Sequence, residues 1–222
     1  MSVETVGPDL VETNGHSFRD PITSVEELRR LLGEPSEVAR TKQRPALDRH
    51  SRAFIERSPF VALGTADAQG RCDVAPKGDA PGFVRVLDDH TLVIPDRPGN
   101  RRFDSLANLI ANPRVGLLFL IPGVEETLRV NGRARLVRDP VLLDRLAMNG
   151  KQPWLAIVVT VEEAYLHCAR AFKRARLWDT ASWRARSELP TLARMLMDQT
   201  HTTSCTLDEL EQRIAQSNQN LY

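Results

Sequence analysis

The sequence predicts a mainly β, α+β fold built on an antiparallel barrel, with helices before, within and after the strands. Short apolar segments with strand periodicity follow one another at hairpin spacing between residues 60 and 168, which is typical of an antiparallel barrel. Helical spacing of apolar residues is clearest near the N-terminus, around residues 100–111 and after residue 190. With 222 residues, of which 41% are hydrophobic, the chain is long enough for one sizeable core with helical extensions.

The N-terminal region is predicted to be a loose arm followed by two helices. Residues 1–20 are polar and lack the basic start and apolar stretch of a signal peptide. Ser24 and Glu27 have the spacing of a capping box, so a helix is expected to begin there and to end near Gly33. A second helix is predicted over about 46–57, and its expected buried side comprises Leu47, His50, Phe54 and Ile55.

The strands of the barrel follow from residue 60. An extended apolar run over 115–121 predicts a strand buried on both faces. Along 127–137, Leu128, Val130, Ala134 and Leu136 alternate with Arg129, Arg133 and Arg135, and Gly132 predicts a bulge or bend. Residues 67–70 form the pattern of a hairpin turn. The other predicted strands are 60–65, 71–76, 83–87, 91–94 and 155–161, the last followed by a separate segment over 164–168.

Two adjacent arginines at a predicted helix start are the most informative local feature. Asn100 is the predicted N-cap, and Phe103, Leu106, Ala107 and Ile110 follow on one helical face. A helix N-terminus already carries partial positive charge, so Arg101 and Arg102 are unfavourable there unless an anion binds. A phosphate would satisfy both the helix N–H groups and the guanidinium groups. The alternative is that both arginines point into water and that Asp104 offsets their charge.

Composition excludes several classes of function. The 30 basic and 29 acidic residues give a net charge of +1, which argues against a general nucleic-acid or membrane-surface partner. Three cysteines and five histidines without ligand spacing predict neither a disulfide scaffold nor a metal site. No apolar run is long enough to span a bilayer, so a cytoplasmic protein is expected. The basic run from Arg170 to Arg186 is either a solvated face or a second anion contact.

Several motifs together resemble the FMN-binding split β-barrel of the pyridoxamine 5′-phosphate oxidase superfamily. The resemblance lies in residues 93–96, in the Gly-Asn-Arg-Arg segment 99–102, and in the Asn-Pro-Arg-Val-Gly-Leu-Leu-Phe segment 112–119. The resemblance extends over about 28–222, and within the superfamily the chain is similar to a bacterial branch of probable FMN-dependent enzymes. The further matching segments are 58–60, 76–79, 81–84, 126–132, 167–168, 177–178, 189–192 and 221–222.

The resemblance implies FMN as the cofactor and assigns its phosphate to the two arginines. Asn100, Arg101 and Arg102 would hold the phosphate. The end of the preceding strand, formed by Ile94, Pro95 and Asp96, would lie along the ribityl chain and the ring edge.

The resemblance also implies contacts to the flavin ring from elsewhere in a homodimer. Thr127 falls on the position that hydrogen-bonds the flavin, and Lys77 and Asp79 would approach the polar edge of the ring. Arg174 and Trp178 would come from the partner subunit. Simpler roles remain open: an exposed loop lysine for Lys77, a turn-fixing carboxylate for Asp79, and a dimer-core aromatic residue for Trp178.

The function implied is an FMN-dependent oxidoreductase in which hydride passes between the flavin and a small organic substrate. No catalytic residue is predicted. The tail lacks the Arg-x-His segment that grips pyridoxamine phosphate in true pyridoxamine phosphate oxidases, so another substrate is expected. The alternative is a carrier or sensor that binds a flavin, a deazaflavin or haem without turnover, with His167 as the candidate haem ligand. The whole chain is predicted to be one domain, with an arm over 1–20, helices over 24–57, the barrel over 59–178 and a helical tail over 180–222.

Overall fold

The computed structural model describes residues 10–222 together with the backbone of the short strand Glu4–Thr5. By its contacts the chain separates into two compact units, Met1–Lys42 and Gln43–Tyr222. Among the described residues, no helix combines the length and apolar character needed to cross a membrane.

The first unit contains a small antiparallel sheet and two helices. Ser24 caps the first helix, since its hydroxyl accepts a hydrogen bond from the Glu27 amide at 3.1 Å, and the helix ends at Gly33 as predicted. The sheet and the second helix are elements that the sequence analysis did not predict. The elements are β1 (Glu4–Thr5), β2 (Leu10–Thr13), β3 (His16–Arg19), α1 (Val25–Leu32) and α2 (Glu37–Thr41).

The second unit is built on an open seven-stranded antiparallel sheet. Its strands lie in the order β5-β4-β8-β9-β10-β7-β6, so β5 and β6 are edges and the sheet does not close. This arrangement confirms the predicted α+β class and its split barrel. The strands are β4 (Phe60–Ala66), β5 (Cys72–Gly78), β6 (Arg85–Asp88), β7 (Thr91–Pro95), β8 (Arg114–Leu120), β9 (Thr127–Val137) and β10 (Ala156–His167).

Along the chain, helices precede, interrupt and follow the strands of this sheet, as the sequence predicts, with one short addition. The helix before β4 begins later than expected, because Asp48 is its N-cap. Of the predicted buried side, Leu47 and Ile55 are buried and Phe54 packs half-buried against the core, whereas His50 is exposed and Ser51 is buried in its place. The helices are α3 (Arg49–Arg57), α4 (Asp104–Ala111), α5 (Pro140–Arg145), α6 (Arg170–Ala175), α7 (Leu192–Thr200) and α8 (Leu207–Gln219). The unpredicted addition is α6.

The main core lies on one face of the sheet, and a smaller cluster of Val93, Leu143, Leu146 and Ala156 is buried on the other. The β8 side chains Val115, Leu117 and Phe119 are buried, whereas Leu118 and Leu120 on the other face are only half-buried. The predicted burial of both faces is therefore complete on one face only. Fully buried apolar side chains from four other strands pack with them: Val61, Leu63, Leu92, Ile94, Leu128, Val130, Ile157 and Val159.

The predicted irregularity at Gly132 is confirmed, and it has a steric cause. A Cβ atom placed on Gly132 would lie 2.0 Å from the carbonyl oxygen of Thr160 on the neighbouring strand. The β9–β10 register shifts between Val161 and Glu163, which leaves Glu162 as the extra residue of a bulge. β10 continues through this bulge as one strand, whereas the sequence analysis predicted two segments.

Candidate cofactor site

A cleft of about 530 Å³ opens between β5 and the segment that follows β7. These two strands are not neighbours in the sheet, because β4, β8, β9 and β10 lie between them in the strand order. The cleft therefore crosses the side on which the sheet is open. Its lining comprises the β5 stretch Val74–Gly78, Phe83, residues 95–106 and Trp154.

One wall of the cleft is an irregular segment over residues 96–103, which we call the cleft loop. Two of its residues other than glycine have left-handed backbone conformations, Arg101 with φ 59° and Phe103 with φ 63°. The Asn100 side chain accepts a hydrogen bond from the Arg102 amide at 3.1 Å and so stabilises the turn between them. Left-handed conformations are unfavourable for such residues and concentrate at functional sites.

The cleft loop changes where the following helix begins. The predicted N-cap at Asn100 is wrong: α4 starts at Asp104, after Phe103 in the N-cap position with no side-chain cap. The left-handed residues delay the helix, so its buried face also differs from the prediction. Phe103 and Ile110 are 54% and 78% exposed, and Ala107 is exposed as well. The residues that face the sheet are Ser105, Leu106, Asn108 and Leu109.

A buried amide anchors α4 to the sheet. The Asn108 side chain donates to the Thr65 hydroxyl of β4 at 3.1 Å and to the Asp73 carboxylate of β5 at 2.8 Å. A buried side-chain amide with both bonds made is costly to displace. These bonds fix the far end of the cleft wall to the sheet.

Most cations around the cleft are already paired with carboxylates. Lys77 contacts Asp96 at 2.7 Å, and both side chains are less than one-fifth exposed. Arg102 contacts Asp104 at 2.8 Å in a more exposed pair. Arg97 contacts Asp79, which lies behind the cleft wall.

Arg101 differs from these cations. Its guanidinium carbon lies 5.7 Å from the centre of the Trp154 ring, in a cation–π contact. Among the described residues, Arg101 is the cation lining the cleft for which the structure records no carboxylate partner within 4.0 Å. An incoming anion could bind it without displacing an ion pair.

A buried pair lies behind the start of the cleft loop. The Asp79 carboxylate accepts from Arg97 Nε at 2.7 Å and from the Tyr222 hydroxyl at 2.6 Å. The Asp79 and Arg97 side chains are only 1% and 14% exposed. Burial raises the pKa of Asp79, but hydrogen bonds from Tyr222, from the Ala80 amide and from Arg97 outweigh it, so this pKa lies below its ordinary value of 3.8. The hydrogen bond to Asp79, reinforced by burial, raises the pKa of Tyr222 above 10.0.

The structure brings together most, but not all, of the side chains predicted to form the site. Ile94 is buried behind the cleft, and Asp79 lies behind Arg97. Thr127 is buried on β9 and does not line the cleft. The predicted residues that line it are Lys77, Pro95, Asp96, Asn100, Arg101 and Arg102.

The two residues assigned to the partner subunit lie away from the cleft of their own chain. Arg174 is exposed on α6. Trp178 donates its indole N–H to the Val124 carbonyl at 2.8 Å and packs against Phe172 with ring centres 5.8 Å apart. Their contribution to a flavin site across a dimer stays a prediction.

The sequence analysis missed three residues at or beside the cleft: Arg97, Trp154 and Tyr222. Arg97 directly follows Asp96 and lies four residues before Arg101 on the same loop. Its place between two predicted site residues could have indicated that it belongs to the site. No local pattern indicated Trp154, because it approaches Arg101 only through the pairing of β10 with β7. Tyr222 lies 143 residues from Asp79, so nothing local could connect them.

Three of the six basic residues in the run from Arg170 to Arg186 contact acidic side chains. Lys173 contacts Glu125 at 3.4 Å, and Arg176 contacts Asp179 at 2.6 Å. Paired exposed cations of this kind favour a solvated face over a second anion site.

Comparison with protein families decides the identity of the fold. The model of the pyridoxamine 5′-phosphate oxidase family matches residues 47–168, which is more than half of the chain. The chain belongs to this family. The match runs from the residue before the cap of α3 to the end of β10 and includes the whole seven-stranded sheet and the cleft loop.

Comparisons with individual proteins are less close. No curated protein matches the chain. Among solved structures, it is similar to HupZ of Group A Streptococcus, with 18% identity, a TM-score of 0.43, and coverage of 53% of this chain and 91% of that one. The corresponding values for general stress protein 26 of Bacillus anthracis are 17%, 0.41, 51% and 88%. For an FMN-binding protein of Syntrophomonas wolfei they are 15%, 0.42, 53% and 83%. The family assignment rests on the match over residues 47–168.

Proposed function

We propose that this family member is an FMN-dependent oxidoreductase that acts on a small organic substrate and holds its flavin at a homodimer interface. The observation that carries the proposal is the Arg101 guanidinium, which lines the cleft and has no carboxylate partner among the residues that the structure describes. A cation of this kind is suited to a phosphate, which is the charged group of FMN.

The other residues of the cleft fit the same group. Arg102 is more than two-thirds exposed and can turn from Asp104 toward a phosphate at small cost. Lys77 and Asp96 present one positive and one negative group on opposite walls of the cleft. Such a pair can orient the polar edge of a planar ring, as donor and acceptor respectively.

Bound FMN would supply reversible hydride transfer, which the side chains of this chain cannot provide themselves. The residues of the chain would bind, orient and shield it. Arg101 and Arg102 would hold the phosphate, Lys77 would place positive charge near the ring, and the exposed Trp154 would cover the mouth of the cleft. We expect a substrate other than pyridoxamine phosphate, because the tail after residue 190 contains no Arg-x-His segment.

The first test is the chemical identity of the bound cofactor. Purified protein is expected to show the two absorption bands of a flavin, and mass spectrometry of the released ligand should give the mass of FMN. A Soret band or the mass of a deazaflavin would favour the alternative of a haem or deazaflavin carrier. A colourless protein that binds no added FMN would contradict the proposal.

The second test is the role of Arg101. Replacing it with alanine removes a charge-assisted contact of about 1.5–3 kcal/mol, so the Kd for FMN should rise about 10- to 100-fold. Flavin fluorescence titration measures this change. Arg213→Ala, which removes an exposed arginine of α8, is the matched control and should bind FMN like the wild type.

Riboflavin lacks the phosphate and separates a phosphate contact from a ring contact. We expect the wild type to bind riboflavin more weakly than FMN, and Arg101→Ala to show a smaller difference between the two ligands, because only Arg102 then remains to hold the phosphate. Equal loss of affinity for both ligands would assign Arg101 to the ring instead. Light scattering should give the mass of two chains for the protein with FMN bound.

A further inference from the structure

Tyr222 makes three contacts, two of which lie at the start of the cleft loop. Its hydroxyl donates to Asp79 at 2.6 Å, and its ring centre lies 5.7 Å from the guanidinium carbon of Arg97. Its main-chain oxygen accepts from Lys151 Nζ at 2.5 Å. Asp79 follows β5, Arg97 follows β7 and Lys151 precedes β10, so one residue is bonded to three parts of the second unit.

These contacts matter because the cleft crosses the open side of the sheet. Within the described part of the chain, no backbone ladder joins β5 to β7. The ties between these two strands are side-chain pairs instead, Lys77 with Asp96 and Asp79 with Arg97. The separation of the cleft walls therefore depends on side chains.

The two ties differ in what a ligand would do to them. Lys77 and Asp96 line the cleft and would be exchanged for ligand contacts. Asp79 is almost completely buried behind the wall, and Tyr222 supplies it with a second donor. Only the second tie can remain intact while a ligand enters.

We propose that Tyr222 is a positioning residue for the cleft. Its hydroxyl holds Asp79, and Asp79 in turn holds Arg97 at the start of the cleft loop that carries Arg101. Tyr222 thereby sets the spacing between the cleft walls before a ligand arrives. This inference rests on the proposed function only in naming FMN as the ligand.

Two variants of Tyr222 test the proposal. Tyr222→Phe removes the hydrogen bond to Asp79 and keeps the ring beside Arg97, whereas Tyr222→Leu removes both contacts. We expect the Kd for FMN to rise about tenfold with phenylalanine, as for a lost hydrogen bond to a charged group, and further with leucine. Tyr165→Phe is the matched control, because the hydroxyl of this second tyrosine bonds Arg129 away from the cleft.

A measurement without any ligand keeps the inference separate from the proposed function. Hydrogen exchange of the amides at 96–103 should be faster in Tyr222→Phe than in the wild type, while exchange in β8 and β9 stays the same. If the wild type binds no FMN, the proposed function fails and the exchange experiment still tests Tyr222. Unchanged exchange at 96–103 would overturn the positioning role, as would a Tyr222→Phe protein with wild-type affinity for FMN. Equal acceleration in β8 and β9 would show a general stabilising role and would also overturn it.

Discussion

The β4–β8–β9 part of the sheet and the cleft are held together by different forces. The three strands pair continuously, with buried apolar side chains such as Leu63, Leu117 and Leu128 beneath them. Across the cleft, individual side chains connect β5 to the segment after β7: two ion pairs, Tyr222 between Asp79 and Arg97, and the Asn108 amide on Asp73. The first region is stabilised by many small contacts, and the second by a few strong, directional ones.

The difference between the two regions shows where residues of the ligand site can change without loss of the fold. Ladder and core contacts are numerous, so the β4–β8–β9 region is expected to be the most stable part of the molecule. The cleft walls depend on individual side chains, so single substitutions should change binding more than folding.

A glycine-to-alanine substitution should change stability much more in the sheet than in the cleft loop. Gly132→Ala places a Cβ atom 2.0 Å from a backbone oxygen of β10 and should lower the free energy of unfolding by about 3 kcal/mol. Gly99→Ala in the cleft loop meets no atom within 4 Å and should leave stability nearly unchanged. Urea unfolding measures both, and similar losses in the two variants would refute the contrast.

Removal of the buried carboxylate should have the next largest effect. Asp79→Ala leaves the largely buried Arg97 without its partner, and we expect a loss of about 2 kcal/mol in the free energy of unfolding. Asp198→Ala breaks an exposed pair with Arg194 on α7 and should cost less than about 0.5 kcal/mol. A loss no larger for Asp79→Ala than for this control would show that the tie across the cleft contributes nothing.

Asp96 allows a more selective test, because it neutralises Lys77 inside the cleft. If Asp96 accepts from the flavin ring, as proposed above, Asp96→Asn should weaken FMN binding by about three- to tenfold, measured by fluorescence titration. If Asp96 instead only neutralises Lys77, the same variant frees this lysine for the anionic ligand and will bind FMN more tightly. The sign of the change therefore decides between the two roles.

The smallest effects should appear in the pH dependence of stability. The pKa of Asp79 is lowered on folding, so its contribution is complete above pH 3.8 and is lost as the pH falls through the folded-state value. The pKa of Tyr222 is raised, so its contribution is complete below pH 10.0 and is lost as the pH rises through its raised value. The stability difference between wild type and Tyr222→Phe should thus be constant at neutral pH and shrink at alkaline pH. Urea unfolding across pH provides the measurement, and a difference that grows at alkaline pH would be inconsistent with this linkage.

The sheet could be predicted from the sequence because strand signals are local. Alternation along 127–137 and the turn at 67–70 required only neighbouring residues, and both are present in the structure. The prediction of two segments where β10 is continuous has the same origin, since a bulge interrupts the alternation without ending the strand.

The cleft loop could be predicted only in part. Arg101 and Arg102 were predicted as cofactor-binding residues from their place at a predicted helix start and from the family resemblance, and both line the cleft. The left-handed backbone of Arg101 and Phe103 could not be predicted, because residues other than glycine rarely adopt this conformation and neither residue type indicates it. The contact between Asp79 and Tyr222 depends on the complete fold.

The bulge in β10 also changes the phase of this strand. Before it, the odd-numbered Ile157, Val159 and Val161 face the core, and after it the even-numbered Ala164 does so. Glu162, the inserted residue, reaches across the sheet to Arg114 of β8. The inserted residue thus reverses which side chains of β10 face the core. Deletion of Glu162 would exchange the inner and outer faces of the rest of β10. The alternation of side chains from Glu163 to His167 therefore matches the sheet only because the bulge is present.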